Sequence, residues 1–172
     1  MHGFKTKNQM PNWCYNRVEF TGSESALTRV NLMFEELSAK GEAEQQGQLP
    51  DFIEEKDGYF FDLRVEDEVI YYETRWSPNT DIVQEIAEHF DIEFTHHYDE
   101  SGTCIYGEAI YKDGMLTKVE LDMADFAAYK YDVDEETYLF EGQYYECSEE
   151  IKEILLERKK QLTLNIKNYD TL

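Results

Sequence analysis

The sequence predicts an α+β fold in which strand, helix, strand, strand, helix and strand follow one another, extended by antiparallel strands and a C-terminal helix. Three observations carry that expectation. Short runs alternate apolar with polar side chains, two stretches place apolar residues at helical spacing, and pairs such as Gly22-Ser23 and Asp113-Gly114 punctuate them.

Each element follows in order. From Tyr15 to Thr21, Val18 and Phe20 alternate with Arg17 and Glu19, the pattern of a half-buried strand. Gly22-Ser23 ends it, and the Ser23 hydroxyl suits a helix N-cap. Leu27, Val30, Phe34 and Leu37, with Met33 widening the stripe, predict a helix over 24–39. Residues 41–50 are polar, with two glycines and three glutamines, and predict a loop. Residues 59–65 and 69–76 are aromatic-rich runs around Glu66-Asp67-Glu68 and read as a hairpin.

Ser77-Pro78 offers a hydroxyl cap and a proline for the first turn of a second helix, whose stripe is Ile82, Val83, Ile86 and Phe90. Ile92, Phe94, His96 and Tyr98 alternate in the next strand. A turn near Ser101-Gly102 leads to a strand over 103–111, and Asp113-Gly114 is a hairpin signal before a strand over 115–121. This order is the ferredoxin-like βαββαβ plan with an extended sheet. Beyond it, 122–130 suggests a short helix and 137–145 one or two strands around Gly142. Ser148, Glu149 and Glu150 open a last helix with Ile151, Ile154, Leu155 and Leu162 on one face and Arg158, Lys159 and Lys160 near its end.

Charge narrows the function classes. The 172 residues hold 16 basic and 38 acidic side chains, a net charge of −22. Residues 41–157 alone hold seven basic against 33 acidic side chains, a balance of −26. Such a chain is a poor ligand for nucleic-acid phosphates or an anionic membrane surface. Aromatic residues make up 15%, far more than acidic disordered chains carry, and no apolar run exceeds four residues. Three scattered cysteines, at 14, 104 and 147, suit a reduced cytoplasm better than a disulfide scaffold. Cys14 and Cys104, the latter in a strand, read as small buried hydrophobes.

Motifs for catalysis or metal binding fail on inspection. Gly102 and Gly107 have the spacing of a phosphate loop, but Glu108 replaces its lysine. Asp132, Asp134 and Glu136 imitate the start of a calcium loop, yet Thr137 and Gln143 occupy its glycine and glutamate positions. His96 and His97 point to opposite faces of a strand and cannot readily clamp one metal, so His96 is expected in the core and His97 exposed. With 38 acids, proximity of two carboxylates argues nothing about hydrolysis.

Met10-Pro11-Asn12-Trp13-Cys14-Tyr15-Asn16-Arg17-Val18 resembles the opening of the YubB-type ferredoxin-like domain family of bacterial plasmids, phages and conjugative elements. Trp76-Ser77-Pro78 is similar to the family's start of its second helix. Tyr98-Asp99-Glu100-Ser101-Gly102, followed by Gly107, is similar to its next hairpin. The matches span about residues 10–112. The resemblance implies a ferredoxin-like fold without an iron–sulfur cluster, a mobile-element origin and a bacterial cytoplasmic location. It carries no established activity, so no catalytic residue transfers. A Trp-Gly-Thr-Lys-Trp stretch expected before the second helix is missing, so a binding site built on it is not carried over.

The expectations are therefore these. Residues 1–9 form a poorly ordered extension, 10–121 the ferredoxin-like domain, and 122–172 an elaboration packed on the same domain. The chain is a non-enzymatic interaction protein needing no cofactor or metal, whose partner is a protein, in the sharpest form one with a basic nucleic-acid-binding groove. About 40 Å of duplex, the span of a domain this long, carries roughly 24 phosphate charges, comparable with the middle segment. The plain alternative is that acidity serves solubility. A second alternative is a small-molecule or metal-binding pocket shared by Trp13, Cys14, Tyr15, Tyr72, Trp76 and His96, against a structural reading in which both tryptophans pack at element ends.

Overall fold

The computed structural model describes residues 11–54 and 57–169, so the expected 1–9 extension lies outside the described residues. In chain order the elements are β1 (Trp13–Thr21), α1 (Glu24–Glu44), β2 (Phe61–Glu66), β3 (Val69–Arg75), α2 (Thr80–Phe90), β4 (Glu93–Glu100), β5 (Ile105–Lys112) and β6 (Met115–Glu120). There follow α3 (Met123–Phe126), β7 (Tyr129–Asp132), β8 (Thr137–Phe140), β9 (Gln143–Tyr145) and α4 (Ser148–Tyr169). The α+β, ferredoxin-like expectation holds. A six-stranded antiparallel sheet runs β2-β3-β1-β4-β5-β6, and β7-β8-β9 form a second, three-stranded sheet.

β1 is the hinge of this order because both its neighbours are distant in sequence. Val18 faces Ile70 on β3 and His96 on β4, and Asn16 faces Tyr72 and Tyr98. Alternation along β1 sends Cys14, Asn16, Val18 and Phe20 to the face covered by α1 and α2. Val30 and Phe34 from α1 and Ile82, Val83 and Ile86 from α2 fill that layer. Burying each such side chain stabilises by roughly 1.5–3 kcal/mol. A second cluster lies between α4 and the other face at β5–β6, where Ile151, Leu155 and Leu156 meet Leu121, Phe140, Tyr106 and Val119.

Several boundaries differ from the sequence reading for identifiable reasons. α1 continues through Gly41 to Glu44 and stops where Gln45 turns left-handed. A glycine costs a helix only about 1 kcal/mol, and Ser38 Oγ, donating to the Leu63 carbonyl at 2.6 Å, ties this end to β2. α2 begins at Thr80, not at Ser77-Pro78, with Asn79 in the cap position and its side chain spent elsewhere. Cys104 lies in the β4–β5 turn with a positive φ of 58°, not in a strand. Leu162 is 63% exposed, so the apolar stripe of α4 ends before it. Because α4 runs to Tyr169, Arg158, Lys159 and Lys160 sit mid-helix and bond acids instead of complementing the helix dipole.

Candidate functional site

The six residues singled out from the sequence do not form one pocket, because the sheet divides them. Cys14, Tyr72 and His96 are buried on the helix-covered face. Trp13 and Tyr15 alternate to the opposite face, where Tyr15 is 62% exposed and Trp13 packs edge-on to Phe61 at 5.2 Å. Trp76 follows the end of β3 and is partly exposed. The shared aromatic pocket is thus corrected: a period of two along β1 puts adjacent residues on opposite faces. Trp13 does pack at the end of the first strand, as its structural reading expects.

What the sheet does bring together around His96 is a buried polar network. Asn16 Nδ2 donates to the Cys14 carbonyl at 2.8 Å and to Thr74 Oγ1 at 3.0 Å. Its Oδ1 must therefore accept, and it lies 3.0 Å from His96 Nε2. That assigns the proton to Nε2, leaving Nδ1 to accept from Thr80 Oγ1 at 3.1 Å. Tyr72 donates to Asn79 Oδ1 at 2.7 Å, and Asn79 Nδ2 donates to the Gly58 carbonyl at 2.7 Å. Thr74 Oγ1 passes its own proton to the Ser77 carbonyl at 2.7 Å.

Electrostatics follow from burial. Desolvation holds the His96 pKa down to about 3, helped by the charges of His97 and Lys118. Desolvation also pushes the Cys14 thiol up to about 12, with the Asp99 and Glu100 charges adding to it. A neutral imidazole with both nitrogens spoken for and a thiol far above neutrality make no nucleophile–base pair. The network's chemistry is structural. Among the described residues no group of three or more His, Cys, Asp or Glu could hold a metal ion.

The three sequence motifs converge at one end of the sheet. The Trp76 N–H donates to the Asn12 carbonyl at 2.9 Å. The Glu100 carboxylate accepts from the Gly102 and Thr103 N–H groups at 2.8 and 2.7 Å and from the Thr103 hydroxyl. A Cβ on Gly102 would stand 2.6 Å from Asn12 Nδ2, so glycine permits this close approach. Asn12, Trp76 and Gly102 thus lock the β1, β3 and β4 ends together.

On the opposite face, a groove of about 360 Å³ lies over β1, β3 and β4, lined by Tyr15, Arg17, Arg64, Tyr71, Glu73 and Asp99. Its far side is bounded by ion pairs. The Lys152 ammonium is buried, 2.5 Å from Asp99 Oδ2 and 3.3 Å from Glu149 Oε1. Burial opposes its charge, yet Asp99 and then Glu149 outweigh it and raise the Lys152 pKa. Glu108, also buried, holds Lys160 at 2.8 Å and His97 at 3.3 Å. His97 is partly exposed, as its place on the outer face requires. Sequence reasoning missed Lys152 and Glu108 because their partners lie far along the chain. A lysine amid Ile151, Leu155 and Leu156 was the available signal.

Exposed acids outnumber exposed bases along the described chain, and the C-terminal part shows this clearly. Between residues 122 and 157, Asp122, Asp134, Glu135, Glu136, Glu141, Glu146, Glu149, Glu150, Glu153 and Glu157 are exposed, against Lys130 as the one exposed base. Tyr131, Val133 and Tyr144 are exposed among them. No helix among the described residues is long and apolar enough to cross a membrane.

Comparison with known families gives one match. A family model described as the ferredoxin-like domain in Api92-like protein matches residues 55–141, about half of the sequence. No curated protein and no solved structure matches the chain.

Proposed function

We propose, since the chain belongs to the family of ferredoxin-like domains in Api92-like proteins, that it acts as a non-enzymatic interaction protein offering a carboxylate-rich surface to a basic protein partner. One observation carries this reading: the exposed carboxylates of residues 122–157 face a single exposed base. The cations of α4 neutralise part of this excess, Arg158 pairing with Glu141, Lys159 with Asp122 and Asp125, Lys152 with Glu149 and Lys160 with Glu157, while Asp134, Glu135, Glu136, Glu146, Glu150 and Glu153 have no ion pair among the described residues. Exposed Tyr131, Val133 and Tyr144 add apolar contact area within the acidic surface. A basic nucleic-acid-binding groove is the partner chemistry that such a surface complements. The finer placing, as a YubB-type protein of a bacterial mobile element working in the cytoplasm, belongs to the same proposal and rests on the opening from Met10 to Val18.

The test is capture from bacterial lysate on the immobilised protein, followed by elution with rising salt. The expected result is a DNA-binding protein released by moderate salt and displaced by duplex DNA. Equal recovery on an unrelated protein of the same net charge would reduce the effect to ion exchange and overturn the reading.

A further inference from the structure

Trp76 is held outside the core by a backbone turn that a bulky side chain disfavours. Its φ is 72°, a left-handed value rare for such residues. The Ser77 N–H donates across it to the Arg75 carbonyl at 2.9 Å, which makes the rare, strained form of γ-turn. Two further bonds keep the turn in place: the Trp76 N–H to the Asn12 carbonyl at 2.9 Å, and Thr74 Oγ1 to the Ser77 carbonyl at 2.7 Å. The indole so presented is 44% exposed, whereas tryptophan is highly buried on average. Strain maintained by surrounding bonds is a feature of binding sites and switch regions.

The exposed indole borders a cleft of about 770 Å³, larger than the groove over the sheet. Tyr59, itself exposed, and Phe61 line it together with the carboxylates Asp57 and Asp81. Arg75, the one cation among the described residues that line it, is already engaged, its guanidinium 4.6 Å from the Phe61 ring centre and 5.9 Å from that of Trp13. The chain therefore shows, beside the cleft, how its aromatic rings hold a guanidinium.

We propose that this cleft seats an arginine or lysine side chain of the basic protein partner, with Trp76 and Tyr59 as aromatic walls and Asp57 and Asp81 as counter-ions. A cation over an aromatic face is attracted by the ring quadrupole, most strongly by tryptophan. Carboxylates at the same place satisfy its N–H groups. Charge complementarity selects this occupant, since the chain carries −22, Asp57 and Asp81 line the cleft, and Arg75 is engaged by aromatic rings. The inference rests on the reading of a basic partner and adds an anchor of defined chemistry to it.

The experiment follows the two indole N–H signals of ¹⁵N-labelled protein during titration with Nα-acetyl-arginine amide, with Nα-acetyl-norleucine amide as neutral probe. The Trp76 signal should shift saturably with the arginine probe alone, while that of Trp13, already beneath Arg75, stays put. Replacing both carboxylates, Asp57→Asn with Asp81→Asn, should weaken the response about tenfold. Trp76→Gly should bind partner at least about tenfold more weakly yet melt no lower than the parent, because glycine adopts this φ freely. An equal shift with norleucine amide, or a Trp76→Gly protein that loses stability markedly, would overturn the seat. So would equal weakening by Glu135→Gln with Glu136→Gln, which lie outside the cleft. Unchanged arginine binding in the cleft variants, with partner capture still dependent on Glu135 and Glu136, refutes the seat and leaves the surface reading standing. A working seat with capture indifferent to the carboxylates of residues 122–157 supports the seat and refutes the surface reading.

Discussion

Asn16 Oδ1 on β1 stands 3.0 Å from His96 Nε2 on β4, and this contact fixes which imidazole nitrogen carries the proton. Asn16 Nδ2 is already donating twice, so Oδ1 can only accept. Replacing Asn16 with leucine keeps the volume, leaves the imidazole N–H only the Tyr72 hydroxyl at 3.4 Å, and takes the side-chain donor from the Cys14 carbonyl. Leaving buried polar groups unpaired costs about 1–3 kcal/mol each. Urea unfolding should show a loss of that order for Asn16→Leu, and a loss below about 0.5 kcal/mol would deny the network its structural role.

The same imidazole makes stability depend on pH. His96 has a folded pKa near 3 against an ordinary 6.5, so between those values the unfolded chain binds the extra proton. Stability contributed by the neutral ring is complete above pH 6.5 and falls as pH drops toward 3. Between pH 6.5 and 5 the loss amounts to about 2 kcal/mol. His96→Gln should be less stable at pH 7 yet lose less on acidification. Parallel pH profiles for the two proteins would contradict this.

Thiol chemistry offers a direct reading of burial. Cys14, pushed up to about 12, should resist an aromatic disulfide reagent at pH 8 until the protein unfolds. Cys104 and Cys147 are partly exposed and should react in the native state. Two fast thiols and one slow one are expected, and three fast thiols would contradict the packing of β1 against α1 and α2.

Lys152 and Asp99 join α4 to the main sheet. Asp99→Ala leaves a buried ammonium with Glu149 alone, and removing one partner of such a pair costs roughly 3–5 kcal/mol. Lys152→Met together with Asp99→Asn should recover most of that loss, because two neutral groups bury cheaply. Guanidinium unfolding of the three proteins distinguishes an ion pair that holds the helix from one that merely decorates it.

The strand–helix order was legible because alternation along β1, β3 and β4 and the stripes of α1 and α2 are local patterns. The start of α2 was not, since the Asn79 side chain at the cap position is spent on Tyr72 and the Gly58 carbonyl, and Ser77 lies in the turn that Thr74 holds through its carbonyl. His96 in the core was readable from its place between Phe94 and Tyr98. The division of Trp13 and Tyr15 from Cys14 was also implicit in the two-residue period, although the postulated pocket ignored it. The left-handed turn at Trp76 was not legible, because the Asn12 carbonyl that takes the Trp76 N–H lies far along the chain, and the local bond from Thr74 to the Ser77 carbonyl has no distinctive sequence signature.

Recognition of a basic partner is proposed to rest on the exposed carboxylates of residues 122–157. The most direct test titrates the captured partner with the parent protein and with a variant carrying Asp134→Asn, Glu135→Gln, Glu136→Gln, Glu146→Gln and Glu150→Gln, at several salt concentrations. The variant should bind more weakly, at least about tenfold at low salt, with a shallower dependence of log Kd on log salt and an unchanged melting temperature. Equal affinity and equal salt dependence would contradict this proposal and leave the acidity as a solubility device.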